Sequence, residues 1–156
     1  MARPEGRVVT VSGDGGFSYS IAELASHAQH GLHTVNIVIN NGSLAWLAMW
    51  QMLFFDGLRQ SVDLGAGNQE PDFAAAARAL GCEGIRVEHP SALPAALDAA
   101  FQYSRPVVVD VRADPLATPI HGYARRLKEG GRYPRPGTVY ELPPWRRSPP
   151  RPADRD

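Results

Sequence analysis

Gly13-Asp14-Gly15-Gly16 follows directly on the apolar run Val8-Val9-Thr10-Val11 and leads into a helical pattern. A glycine-rich turn between a valine-rich strand and a helix constrains the fold more than any other feature of this chain. Such turns let backbone approach a ligand without Cβ clashes, and in α/β sheets they lie outside the carboxyl ends of the strands. Arg7–Ser12 therefore reads as a short buried strand, and Gly13–Gly16 as the loop at its end. The aspartate is the anomaly. Loops of this kind usually hold anionic phosphate, which Asp14 alone would repel.

The rest of the chain repeats the alternation. Ile21, Leu24, Ala25 and Ala28 recur at helical spacing, Ser20 and Glu23 have capping-box spacing before them, and Gly31 is placed to stop the helix. Val35–Ile39 is the next strand, closed by Asn40-Asn41-Gly42, and Leu44 to Phe55 reads as a helix apolar around its whole circumference, expected to be buried. Asp72 opens a helix carrying Phe73, Ala76, Ala77 and Leu80, with Gly81 as its stop. Ile85–Val87 is a brief strand, Ser91 is the expected cap of a helix with Leu93, Leu97, Ala100 and Phe101, and Pro106–Val111 is the last strand. This order predicts an α/β fold, three layers of α/β/α around a mostly parallel sheet. The unbroken Val107-Val108-Val109 suits a sheet covered on both faces.

Gross composition excludes several classes. Sixteen acidic and sixteen basic residues leave no net charge to attract nucleic acid or an anionic membrane. No apolar run reaches the roughly 18–20 residues of a membrane span. The first residues lack a signal-peptide layout, so a cytoplasmic location is expected. Cys82 is the single cysteine and reads as a small buried residue. Residues 1–114 are read as one domain. From Pro115 onward the chain holds nine of its fourteen prolines and nine of its sixteen basic residues, so 115–156 is expected to be a Pro/Arg-rich arm, partly extended or disordered.

A carboxylate beside phosphate-binding glycines makes sense if a cation lies between them. Mg²⁺ takes hard oxygens in an octahedral shell, often one or two from protein and the rest from phosphate and water. Asp14 can supply one, the Asn41 amide a second, and the Ser43 backbone carbonyl a third. Asp14 would hold the metal, and the metal would hold the phosphate, helped by free N–H groups at the start of the helix expected after Phe17. A dinucleotide-binding reading is weaker, because G-x-G-x-x-G is absent. His27, His30 and His33 are read as solvated or supporting residues, and Glu23 as a helix cap.

Gly13-Asp14-Gly15, then twenty-four residues, then Asn40-Asn41 resembles the signature of thiamine-diphosphate-dependent enzymes. The resemblance implies that Asp14, Asn41 and the Ser43 carbonyl bind Mg²⁺, and that Gly13, Gly15, Gly16, Phe17 and Leu44 join them around thiamine diphosphate. Asn40-Asn41-Gly42-Ser43-Leu44-Ala45-Trp46, Met49-Trp50-Gln51 and Leu53-Phe54-Phe55-Asp56-Gly57 are similar to the corresponding region of acetolactate synthases. Trp50 aligns with a tryptophan lining the substrate pocket there, and Trp46 is placed beside it. The resemblance covers about Arg7 to Asp114.

In that family an activating glutamate lies in a separate pyrimidine-binding domain, and no residue of this chain corresponds to it. The family domain's first strand and helix also have no counterpart ahead of Arg7. The resemblance therefore implies a lyase or transferase acting on 2-oxo acids by decarboxylation and carboligation. A pyrimidine-binding domain on another chain or a second copy would complete the site within an oligomer. No catalytic residue is assigned to this chain alone. The alternative is a truncated, non-catalytic remnant serving as an interaction module.

Overall fold

The structure, a computed structural model, describes residues 6–55, 59–65 and 70–114. The expected arm at 115–156 lies outside the described residues, as does most of the Leu53–Gly57 match beyond its helical backbone. Among the described residues, four strands form one sheet: β1 (Val8–Gly13), β2 (Thr34–Asn40), β3 (Glu83–Val87) and β4 (Val107–Arg112). Their spatial order is β1-β2-β4-β3, and all three pairings are parallel. The described helices that join them are α1 (Asp14–Ser18), α2 (Glu23–Gln29), α3 (Ala45–Phe54), α4 (Phe73–Ala79) and α5 (Leu93–Ala100), the last preceded by a 3₁₀ turn at Pro90–Ala92.

The pleat divides the core in two. Val38 and Val108 point to one face, where Phe17, Leu24, Phe73, Ala77 and Cys82 pack on them. Val35, Val107, Val109 and Val87 point to the other, under Ala96 and Ala100. Thus α1, α2 and α4 cover one face and α5 the opposite one, which is the three-layer arrangement expected. The change of face has a topological cause. Travel along the sheet reverses between β3 and β4, so a right-handed crossover must carry its helix on the other side. Val107, Val108 and Val109 are fully buried, as their unbroken apolar run predicts.

Several local expectations are corrected. Strand β1 is not buried: Val8, Val9 and Val11 are 55%, 46% and 68% exposed. It lies at the sheet edge, while α5 packs over β3 and β4. The loop at Gly13–Gly16 is helical from Asp14 onward, so α1 starts before Phe17 rather than after it. That early turn removes the capping box. Ser20 falls between α1 and α2, its backbone carbonyl accepts from Glu23 N, and α2 has no side-chain cap. Ser91 lies within the 3₁₀ turn, and α5 likewise lacks a side-chain cap. Helix α3 buries Ala48 and Met49 but leaves Trp46, Leu47 and Trp50 about half exposed.

Other signals hold. Asp72 caps α4, its carboxylate accepting from Ala75 N at 2.7 Å. Gly31 and Gly81 follow their helices at φ +58° and +85°, where a side chain would be strained. Cys82 is buried, its thiol donating to the Leu24 carbonyl, and burial raises its pKa.

Candidate functional site

Parallel pairing of β1 with β2 sets Gly13 beside Ile39, so both strands deliver their carboxyl ends to the same rim. Asp14 is the next residue after β1, and Asn40 is the last of β2. The chain turns into α1 at Asp14, which draws that side chain back beneath the second loop. Asp14 is 4% exposed. Its Oδ1 accepts from Gly15 N at 2.8 Å, and its Oδ2 accepts from Asn41 N at 2.9 Å and Ser43 N at 3.3 Å. Three backbone donors thus satisfy a buried carboxylate, the condition for keeping such a charge away from water.

The second loop is held from both sides. Asn41 Oδ1 accepts from Ser43 N at 3.0 Å, folding the loop on itself. Gly42 stands at φ +68°, and its N–H donates to Asn40 Oδ1 at 3.1 Å. Ser43 pairs with Asp63 in an antiparallel bridge, and its hydroxyl donates to the Val62 carbonyl at 2.9 Å. Leu44 N also reaches the Val62 carbonyl, and Leu64 N reaches that of Gly42. Arg59 donates to the Ser43 hydroxyl and forms an ion pair with Asp63.

The residues expected to share a site do come together: Asp14, Asn41 and Ser43 are in direct hydrogen-bond contact. Their oxygens are only partly used. A carboxylate offers about four acceptor positions, and Asp14 spends three on N–H groups. The Asn41 amide oxygen and the Ser43 carbonyl each offer two and spend one, the latter on Ala45 N at 2.7 Å. Among the described residues, each of the three therefore keeps one acceptor position, which suits a hard cation bound through single oxygens. Among the described residues, no group of three His, Cys, Asp or Glu side chains forms an alternative metal site.

The glycines divide in their roles. A Cβ on Gly15 would fall 2.4 Å from Leu44 Cδ2, so Gly15 lets Leu44 close over α1. A Cβ on Gly13 or Gly16 would meet nothing within 4 Å, leaving open space on that side of the loop. Phe17 points inward, packing edge-on against Phe73 at 5.5 Å between ring centroids. It can meet a ligand only through its backbone. Trp46 and Trp50 stack edge-to-face at 6.2 Å on α3.

The model of the thiamine pyrophosphate enzyme C-terminal TPP-binding domain matches residues 1–111. The chain belongs to that family. Its similar curated proteins include the acetolactate synthase large subunit of Haemophilus influenzae, 34% identical over 131 residues, covering 83% of this chain and 22% of that protein. The acetolactate synthase of Mycobacterium avium is 39% identical over 111 residues, 70% of this chain and 18% of that one. Among solved structures, the Rhodococcus jostii RHA1 thiamine diphosphate-dependent 4-hydroxybenzoylformate decarboxylase matches with a TM-score of 0.64 and 27% identity, covering 72% of this chain and 21% of that one. The chain spans about a fifth of the length of these relatives. No helix among the described residues is long and apolar enough to cross a membrane.

Some residues that shape the site carried no sequence signal. Arg59, Val62 and Asp63 grip the second loop from a stretch without periodicity. Asp110, which follows Val107-Val108-Val109 within β4, is wholly buried.

Proposed function

We propose that this chain binds the Mg²⁺–diphosphate end of thiamine diphosphate, as the diphosphate-binding part of an acetolactate-synthase-like enzyme acting on 2-oxo acids. The observation that carries the reading is the buried Asp14 carboxylate in contact with Asn41 and Ser43, each retaining one free acceptor position. Asp14, the Asn41 amide oxygen and the Ser43 carbonyl would hold the metal. The open sides of Gly13 and Gly16 would admit the diphosphate, with Gly15, Phe17 backbone and Leu44 shaping the floor. When bound, the cofactor supplies carbanion stabilisation for decarboxylation and carbon–carbon bond formation.

The chain's own residues bind and orient. Asp14 neutralises part of the metal charge from a site where backbone donors fix its direction, so little reorganisation accompanies binding. The exposed Trp46–Trp50 pair offers an apolar wall for a substrate side chain. The activating glutamate would come from a pyrimidine-binding domain on another chain or a second copy, within an oligomer. The chain spans about a fifth of the relatives' length, which leaves room in those proteins for such a domain.

A second reading, a non-catalytic interaction module, draws on one observation: the exposed valines of the edge strand β1. Titration calorimetry separates the two. Thiamine diphosphate should bind this chain in the presence of Mg²⁺, and binding should vanish without the metal or in Asp14→Asn. Binding that ignores both Mg²⁺ and Asp14→Asn would sink the metal reading. No binding by the wild-type chain would favour the interaction module.

A further inference from the structure

Asp110 has no place in the binding set, yet it is the carboxylate around which the rim is braced. Its Oδ1 accepts from Asn40 Nδ2 at 2.9 Å. Its Oδ2 accepts from Phe73 N at 3.0 Å and from Arg86 Nη1 at 3.2 Å. One side chain on β4 thus ties together β2, the first residue of α4 and the Arg86 guanidinium of β3. Arg86 continues outward to Glu88 at 2.6 Å and Asp72 at 3.7 Å.

Asn40 passes this anchorage to the loop. It is wholly buried, and all its amide partners require one orientation. The nitrogen donates to Asp110 and to the Pro71 carbonyl at 2.8 Å, while the oxygen accepts from Gly42 N. Turning the amide over would set its nitrogen against Gly42 N and its oxygen against both Asp110 and Pro71. We propose that Asp110 is a positioning residue: by dictating the orientation of the Asn40 amide, it holds Gly42 and so aligns Asn41 and Ser43 against Asp14. The proposal rests on the functional reading above for what the aligned loop binds, but the bracing itself is a property of this chain.

Asp110→Asn tests it, because the isosteric amide cannot accept on both sides. If its oxygen serves Phe73 and Arg86, its nitrogen faces the Asn40 nitrogen, and relief requires Asn40 to turn over and release Gly42. The swapped pair Asn40→Asp with Asp110→Asn removes that conflict. With Asn40→Asp, one carboxylate oxygen accepts from Gly42 N and the other from the Asp110→Asn amide, while that second oxygen also faces the Pro71 carbonyl oxygen, which costs part of the gain.

Amide hydrogen exchange of the whole chain, resolved at Gly42, Ser43, Phe73 and Val108, provides the readout. In Asp110→Asn, Gly42 and Ser43 should exchange about tenfold faster or more, the effect of losing one hydrogen bond, while Val108 stays protected. The swapped pair should recover part of that protection at Gly42, less than wild type because of the oxygen facing Pro71. Unchanged Gly42 protection in Asp110→Asn, or a loss spread evenly to Val108, would overturn the proposal. Should Asp110→Asn not fold, the swapped pair decides alone: folded with Gly42 protected it supports the brace, and unfolded or unprotected it refutes it. Titration with thiamine diphosphate and Mg²⁺ should show affinity falling about tenfold in Asp110→Asn and returning in part in the swap, in line with one lost contact. If the wild-type chain binds no thiamine diphosphate, the functional reading fails while the exchange data still decide the brace.

Discussion

Gly16→Ala separates folding from binding at one position. Gly16 is the third residue of α1, exposed, and an added Cβ meets no heavy atom within 4 Å. The folded chain by itself therefore gains from the methyl. Alanine is favoured over glycine by about 1 kcal/mol in a helix interior. In a single five-residue turn about half of that is expected, raising the melting temperature by roughly 2–4 °C for a domain of this size. Binding should move the other way. If the open side of Gly16 admits diphosphate, the methyl displaces it from one or two backbone N–H donors. Hydrogen bonds to charged groups are worth about 1.5–3 kcal/mol, so affinity should fall about ten- to hundredfold. The assay pairs thermal denaturation with calorimetric titration of thiamine diphosphate and Mg²⁺ on the same preparations. A variant that is more stable and binds as tightly as wild type would refute the placement of diphosphate beside Gly16.

Gly84→Ala should fail for a steric reason, since its Cβ would fall 2.1 Å from the Ala74 carbonyl oxygen and 2.8 Å from its carbon. That contact between β3 and α4 backbone cannot relax by a rotamer change, and a loss of about 3 kcal/mol or more is expected in denaturant titration. Asp72→Ala should cost about 1 kcal/mol through loss of the α4 cap, and Asp72→Asn, which keeps an acceptor for Ala75 N, should recover most of it. For Asp110, burial raises the carboxyl pKa above its ordinary 3.8, outweighing the opposing contacts with Asn40, Arg86 and Phe73. The folded chain then holds that proton more tightly than the unfolded one. Its contribution is most favourable below about pH 3.8 and is lost as pH rises through the raised folded value. Plotted against pH, the stability difference between wild type and Asp110→Asn should therefore shift against wild type across this acidic interval; a difference that is flat, or of opposite slope, would contradict it.

Much of the architecture was legible because it is written in local terms. Strand and helix periods, the stops at Gly31 and Gly81 and the Asp72 cap depend on neighbours a few residues away. The valine run at 107–109 also announced a strand covered on both faces. The candidate site was legible for a different reason. A lone carboxylate among glycines is chemically odd, and the Asn40-Asn41 pair at the next strand end supplied oxygens to explain it.

What the sequence determined by itself was therefore the fold class, the parallel sheet and which two loops meet at the rim. Tertiary structure alone decided the rest, because burial and pairing depend on residues far along the chain. Val8, Val9 and Val11 read as a buried strand, yet the order β1-β2-β4-β3 places them at an edge. Ser20 and Glu23 have the spacing of a capping box, yet α1 already occupies Asp14–Ser18 and leaves Ser20 in the turn before α2. Asp110 is one polar residue inside the apolar strand β4, and no local pattern marks it for a role. Only packing brings it within 3 Å of Asn40, seventy residues away, and makes it the brace of the loop that Asp14 holds from the other side.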